Sequence, residues 1–169
     1  ASMPGIRVIG TVYTPSEINS VFYMEALRKE AEKEGLTLLV APASTVTEVS
    51  DAAASLFAKG VEAMTQISDN LTTGCSAVII KQANDHNRPY FAFITNQVEK
   101  GAVAALARDY QTAGSDAVKV ALEVLNGKNP KNIPFRLVSK STVTVNRPVM
   151  NRLGISIPSS YLNASTPTP

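Results

Sequence analysis

The chain has 169 residues, of which 18% are charged and 44% hydrophobic, and its net charge is +2. That composition fits one globular domain with an ordinary core. Its cations interleave with glutamates, as in Arg28-Lys29-Glu30-Ala31-Glu32-Lys33-Glu34, which argues against a nucleic-acid surface. No apolar run reaches the ~18 residues that a bilayer span takes, and no signal-peptide pattern is present. A single cysteine, Cys75, excludes an internal disulfide.

In chain order, Arg7–Tyr13 reads as a strand closed by Thr14-Pro15. Ser16 is placed to cap a helix over about 17–34, with Glu17 in its first turn and Gly35 stopping it. Val21, Met24, Leu27 and Ala31 share one face of that helix. Leu36–Ala41 is a second strand. Thr45 and Glu48 have capping-box spacing ahead of a helix over Val49–Ala58, which Gly60 ends. Val61–Ile67 is expected as a third strand, and Ser68-Asp69-Asn70 as the start of a helix to about Asp85. Tyr90–Ile94 is a fourth strand. A short helix around Val98–Gly101, a strand near Val103–Ala107 and a long helix over about 111–126 follow, ending at Asn126-Gly127. Phe135–Ser139 and Thr142–Val145 are β-rich, and Pro148–Leu153 is a last short helix. The alternation predicts an α/β fold, a mainly parallel sheet with helices on both faces. Residues 1–163 are expected to form one lobe, and 164–169 a disordered Pro/Thr/Ser tail.

In such sheets ligands sit beyond the carboxyl ends of the strands. The rule selects Thr14–Ser20, Ala43–Thr47, Ser68–Thr72, Thr95–Val98 and Arg108–Gln111. Ser16, Asn19 and Ser20 offer two hydroxyls and an amide beside the N–H groups of a helix start. That suits a ligand carboxylate, and plain capping explains the same residues. Asp69, with Asn70 beside it, suits a ligand ammonium or a helix cap. Asp109 suits an α-amino group, or caps the helix that follows. Asn96 completes the candidate set at the end of the fourth strand.

Tyr90-Phe91-Ala92-Phe93-Ile94-Thr95-Asn96-Gln97-Val98-Glu99-Lys100-Gly101-Ala102 leads into Asp109-Tyr110-Gln111-Thr112-Ala113-Gly114, and Leu153-Gly154-Ile155-Ser156-Ile157-Pro158 comes later. Together these resemble the C-terminal half of ABC-transporter substrate-binding proteins, of the family that binds aromatic and related amino acids. The resemblance covers about residues 6–158. Tyr13, Pro15, Glu17, Asn19 and Ser20 match that family's Tyr-Asn-Pro-x-Glu-x-Asn-Ser, with Thr14 replacing the Asn. Asp69-Asn70 matches its Thr-Asp-Asn, and Asp109-Tyr110 its Asp-Tyr. Two carboxylates of the family's Ser-Asp-Thr-Asp-Ser are replaced here by Ile94 and Asn96, and a Gly-Phe by Ala107-Arg108.

The resemblance implies one lobe of a periplasmic-binding-protein-like fold, with the N-terminal lobe outside this sequence. It implies a small-molecule ligand, an amino acid among the candidates, held by closure of two lobes. It implies an ABC permease as partner, no cofactor, and a periplasmic or extracytoplasmic place, lipoprotein anchoring included. A ligand-sensing domain with the same fold, fused to a downstream signalling domain, is the alternative.

Enzyme chemistry has little to stand on. Cys75, in Gly74-Cys75-Ser76-Ala77-Val78, reads as a small core residue, and His86 lies at a polar helix end. One thiol and one imidazole do not make a metal site. The helix over 112–125 is apolar nearly all round, so it expects cover, which the first lobe gives in the two-lobed proteins the chain resembles; without that lobe it either folds onto its own sheet or is buried against a second copy in a homodimer through Val118, Leu122 and Leu125.

Overall fold

The computed structural model describes residues 5–162 and 166–167. Five strands, β1 (Val8–Tyr13), β2 (Thr37–Pro42), β3 (Ala63–Thr65), β4 (Tyr90–Ala92) and β5 (Ala104–Arg108), pair in parallel. Two more, β6 (Lys140–Val145) and β7 (Thr166–Pro167), close the sheet antiparallel. The order across the sheet is β2-β1-β3-β4-β5-β6-β7. From β1 the chain steps to one side and then returns past β1 to the other. Right-handed crossovers therefore put the first two connecting helices on opposite faces.

The packing follows that rule. Helix α1 (Ile18–Lys33) lies over β1 and β2 and buries Ser20, Met24 and Ala31. Helix α2 (Val46–Ala58) packs on the other face with α3 (Asn70–Gly74) and α4 (Ser76–Asp85). There Val49, Ala53, Leu56, Phe57, Ile79 and Ile80 meet Val12, Met64, Tyr90 and Ala105. Full burial of Leu56 and Ile80, each 0% exposed, stabilises the fold by about 1.5–3 kcal/mol each. Beyond α5 (Asn96–Glu99), α6 (Tyr110–Leu125) leaves the sheet and returns at β6; α7 (Arg147–Leu153) and α8 (Ser159–Leu162) follow. Helix α7 brings Met150, Val149 and Leu153 against Phe91, Ala104 and Val145, which are register partners on one face of β4, β5 and β6. Helices thus cover both faces of a mainly parallel sheet, as the alternation predicts.

Several local expectations change. The third strand is confined to Ala63–Thr65, although Glu62 N and Gln66 N still donate to Val8 O and Phe91 O at 2.9 Å. The expected continuous helix to Asp85 breaks at Cys75, which ends α3 and begins α4 just after the permissive Gly74. Phe135–Ser139 forms no strand: among the described residues it pairs with none, and β-propensity without a partner strand gives no ladder. Instead it runs along α6, with Arg136 forked onto Glu123 at 2.5 and 2.9 Å and Ser139 N donating to Asp116 Oδ2 at 2.9 Å. Of the expected 164–169 tail, only Thr166–Pro167 is described, beside Lys140 and Ser141; the rest lies outside the described residues.

Gly10 is required by packing. A Cβ there would stand 2.9 Å from Met64 Sδ and from both γ-carbons of Val61. The thioether can move, but the β-branched Val61 is stiff. Gly10→Val is expected to cost about 2–3 kcal/mol, read as a thermal midpoint lowered by about 4–12 °C in a circular-dichroism melt. An unchanged midpoint would mean that the Val61 side gives way freely.

Candidate functional site

Strand order reverses between β1 and β3, so the loops leaving these two strands flank a topological switch point. They are locked to each other. Asp69 is 2% exposed and caps α3 by accepting from Thr72 N at 2.6 Å. Its other oxygen accepts from Thr14 N, in the β1 loop, at 2.8 Å. Ser20 Oγ also accepts from Thr14 N at 2.8 Å, and the Ser20 hydroxyl bonds Asp69. Burial opposes ionisation of Asp69, but the Ser20 hydroxyl, Thr72 and Thr14 together outweigh it and hold the carboxyl below the usual aspartate value.

The expected Ser16 cap is not formed. Glu17, not Ser16, occupies the N-cap of α1, and its side chain caps none of that helix's backbone N–H groups. It reaches instead to Asn70 N and Asn70 Nδ2, both at 2.9 Å, and to Leu71 N at 3.2 Å. A carboxylate gains more from two free N–H groups at a helix start than from exposure to water. The N–H groups of Ile18, Asn19 and Ser20 are left without a partner among the described residues. Asn19 Nδ2 donates to Ser68 O at 3.0 Å. Sequence reasoning placed Glu17 in a helix turn and missed this link. The usable signal was an acidic residue in a loop at the point where strand order turns.

The remaining candidates sit on the same carboxyl edge, farther along it. Asn96 is exposed at the start of α5, after β4. Asp109 directly follows β5 and caps α6, accepting from Thr112 N at 2.8 Å, with Lys140 Nζ 3.4 Å from its other oxygen. The Thr112 N–H, then the Thr112 hydroxyl, with Lys140 adding, hold this carboxyl below the usual range. The structure therefore joins Ser20 to Asp69 directly and brings Asn19 and Asn70 together through Glu17. Ser16 is exposed beside them. Asn96 and Asp109 share the edge without bonding that group. Two cavities lie elsewhere: about 330 Å³ at the opposite end, beside Glu62 and Arg88, and about 560 Å³ between α6 and residues 130–139.

Cys75 is half-buried against the core, and His86 stacks on Phe57 with ring centroids 4.6 Å apart. Among the described residues no group of three acidic, His or Cys side chains could hold a metal ion. No described helix is long and apolar enough to cross a membrane.

A model of the ABC transporter substrate binding protein family matches residues 1–168. The chain belongs to that family. It is 30% identical over 150 residues to a tyrosine-binding protein of Clostridioides difficile (strain R20291), covering 89% of this chain and 43% of that protein. It superposes on a conserved domain protein from Vibrio cholerae with a TM-score of 0.82 and 30% identity, covering 96% of this chain and 55% of the other. An ABC domain from Streptococcus pneumonia in complex with L-Trp gives a TM-score of 0.80 and 26% identity, covering 96% and 57%. This substrate-binding-protein chain thus spans about half the length of the relatives it matches. The family and the periplasmic-binding-protein-like fold are those that the resemblance at Tyr90–Gly114 and Leu153–Pro158 implies.

Proposed function

We propose that this chain is one lobe of the solute-binding component of an ABC importer, working outside the cytoplasm, and that its carboxyl edge is one wall of an amino-acid cleft. The observation that carries the reading is the locked pair of loops at the switch point. They leave the first N–H groups of α1 without a partner among the described residues, with Ser16, Asn19 and Asn70 exposed around them. In this reading Ser16, Asn19, Asn70, Asn96 and Asp109 face the ligand, while Ser20 and Asp69 hold the loops in place. The tyrosine and L-Trp named for two relatives support an amino acid as the ligand class. The lobe binds and releases without chemistry, and an ABC permease receives the ligand. A second lobe supplies the other wall, because a cleft protein buries most of its ligand between its walls.

Titration calorimetry tests this. The full-length protein is expected to bind L-tyrosine or L-tryptophan, and Asn70→Ala to weaken that binding about tenfold. This lobe alone is expected to give no measurable heat. Absence of heat from the full-length protein with every common amino acid would overturn the ligand assignment. Equal binding by the isolated lobe would overturn the two-wall reading.

A further inference from the structure

Four donors converge on the Glu17 carboxylate. Oε2 accepts from Asn70 N and Asn70 Nδ2 at 2.9 Å, with Asn19 Nδ2 at 3.5 Å, and Oε1 accepts from Leu71 N at 3.2 Å. An ionised carboxylate only accepts, so whatever part of an amide faces it must be the NH₂ group. The same argument applies to Asn19, whose Nδ2 also donates to the Ser68 carbonyl at 3.0 Å. Both amides are thereby oriented. Each spends its donor end inside the loop pair, and neither Oδ1 has a partner among the described residues. Both residues are exposed.

We infer that Glu17 is a positioning residue that sets the polarity of this wall: it holds Asn19 and Asn70 so that two carbonyl oxygens face the ligand. The group met there is a hydrogen-bond donor, of which an ammonium is the strongest available on an amino acid. This deepens the amino-acid reading above and rests on it. It adds that the switch-point amides recognise the amino end of the ligand, and that a loop carboxylate which does not touch ligand fixes that preference. The uncommitted N–H groups of Ile18, Asn19 and Ser20, one helix start away, have the opposite polarity and suit the carboxylate end.

Glu17→Gln is nearly isosteric but exchanges one accepting oxygen for a donating NH₂, so it cannot satisfy the same four donors. In the full-length protein, hydrogen exchange at the Asn70 and Leu71 amides is expected to quicken at least about tenfold, with the Val49 and Ala53 amides unchanged. L-Tyrosine affinity is expected to fall about tenfold. Affinity for 3-(4-hydroxyphenyl)propionate, which lacks the ammonium, is expected to stay within about twofold. In an Asn19→Ala/Asn70→Ala background, Glu17→Gln is expected to cause no further loss, because it acts through those amides. Unchanged exchange at Asn70 and Leu71 overturns the loop link. Equal weakening of the two probes overturns the polarity assignment and leaves Glu17 a purely structural residue. If the wild-type protein binds neither probe, the amino-acid reading fails and takes the ammonium assignment with it, whereas the exchange result still decides whether Glu17 ties the two loops.

Discussion

Sedimented alone, this 169-residue chain is expected to form a concentration-dependent dimer, and Val118→Asp with Leu122→Asp to return it to a monomer. Helix α6 has no buried residue. Val118, Leu122 and Leu125 are 58%, 50% and 80% exposed, and Phe135 and Leu137, which lie along the helix's other face at Val120 and Val124, are exposed as well. The excursion leaves the sheet after Arg108 and re-enters at Lys140, where Asp109 N donates to Lys140 O at 3.1 Å. The polar stripe of α6 is already used within the excursion, Asp116 by Lys119 and Ser139 N, and Glu123 by Lys128 and Arg136. What remains outward is apolar, and a contiguous apolar face on a helix calls for cover. A second copy is expected to supply it when the lobe is alone. In the full-length protein the other lobe is expected to take that place, so the full-length form should sediment as a monomer. A monomeric lobe at every concentration would rule out self-association.

Acid is expected to loosen the excursion only late. Hydrogen bonds from Arg136 first, and then Lys128, hold Glu123 at about 2. Lys119 first, and then Ser139, hold Asp116 at about 2. Both values are depressed, so the stabilisation is fully present above the ordinary carboxylate values and fades as pH falls toward about 2. These pairs are exposed, so salt weakens them.

Asp69→Ala is expected to be the most damaging single change at the candidate site. It removes the cap of α3, strands the Thr72 N–H group and the buried Ser20 hydroxyl, and leaves Thr14 N with Ser20 Oγ alone. The cap alone is worth about 1 kcal/mol, and buried groups left unpaired add about 1–3 kcal/mol. A total loss of about 3 kcal/mol corresponds to a melting midpoint lowered by about 6–12 °C. Because the Asp69 pKa is lowered on folding, its contribution is present above the ordinary aspartate value and is lost as pH falls through the folded one. The wild-type and alanine proteins should therefore converge in stability in strong acid. A midpoint within 2 °C or so of wild type at neutral pH would show that the hub is not needed.

The sequence by itself determined the architecture, because strand and helix leave different periods in the chain. Thr45 caps its helix as the spacing predicts, with Glu48 N donating to Thr45 Oγ1 at 3.3 Å, while Glu48 Oε2 accepts from Ser44 N at 2.7 Å, one residue before the N-cap. The long helix ends at Asn126-Gly127 as read. The stretch Tyr90–Gly114, with Leu153–Pro158, was enough to place the family. Sequence also put its candidates on one edge of the sheet, since the carboxyl ends of parallel strands lie together whatever the side chains are. What each edge residue does was decided only by the tertiary structure. Asp69 and Asp109 could each cap or bind, and both are found capping. Glu17 could have served its own helix, yet it serves one 53 residues away. Phe135–Ser139 has strand composition without a strand, because pairing needs a neighbour that composition cannot supply. Local sequence sets the period and the turn chemistry. Which donor a carboxylate meets depends on loops that only chain crossings bring together, and no spacing along the sequence encodes that distance.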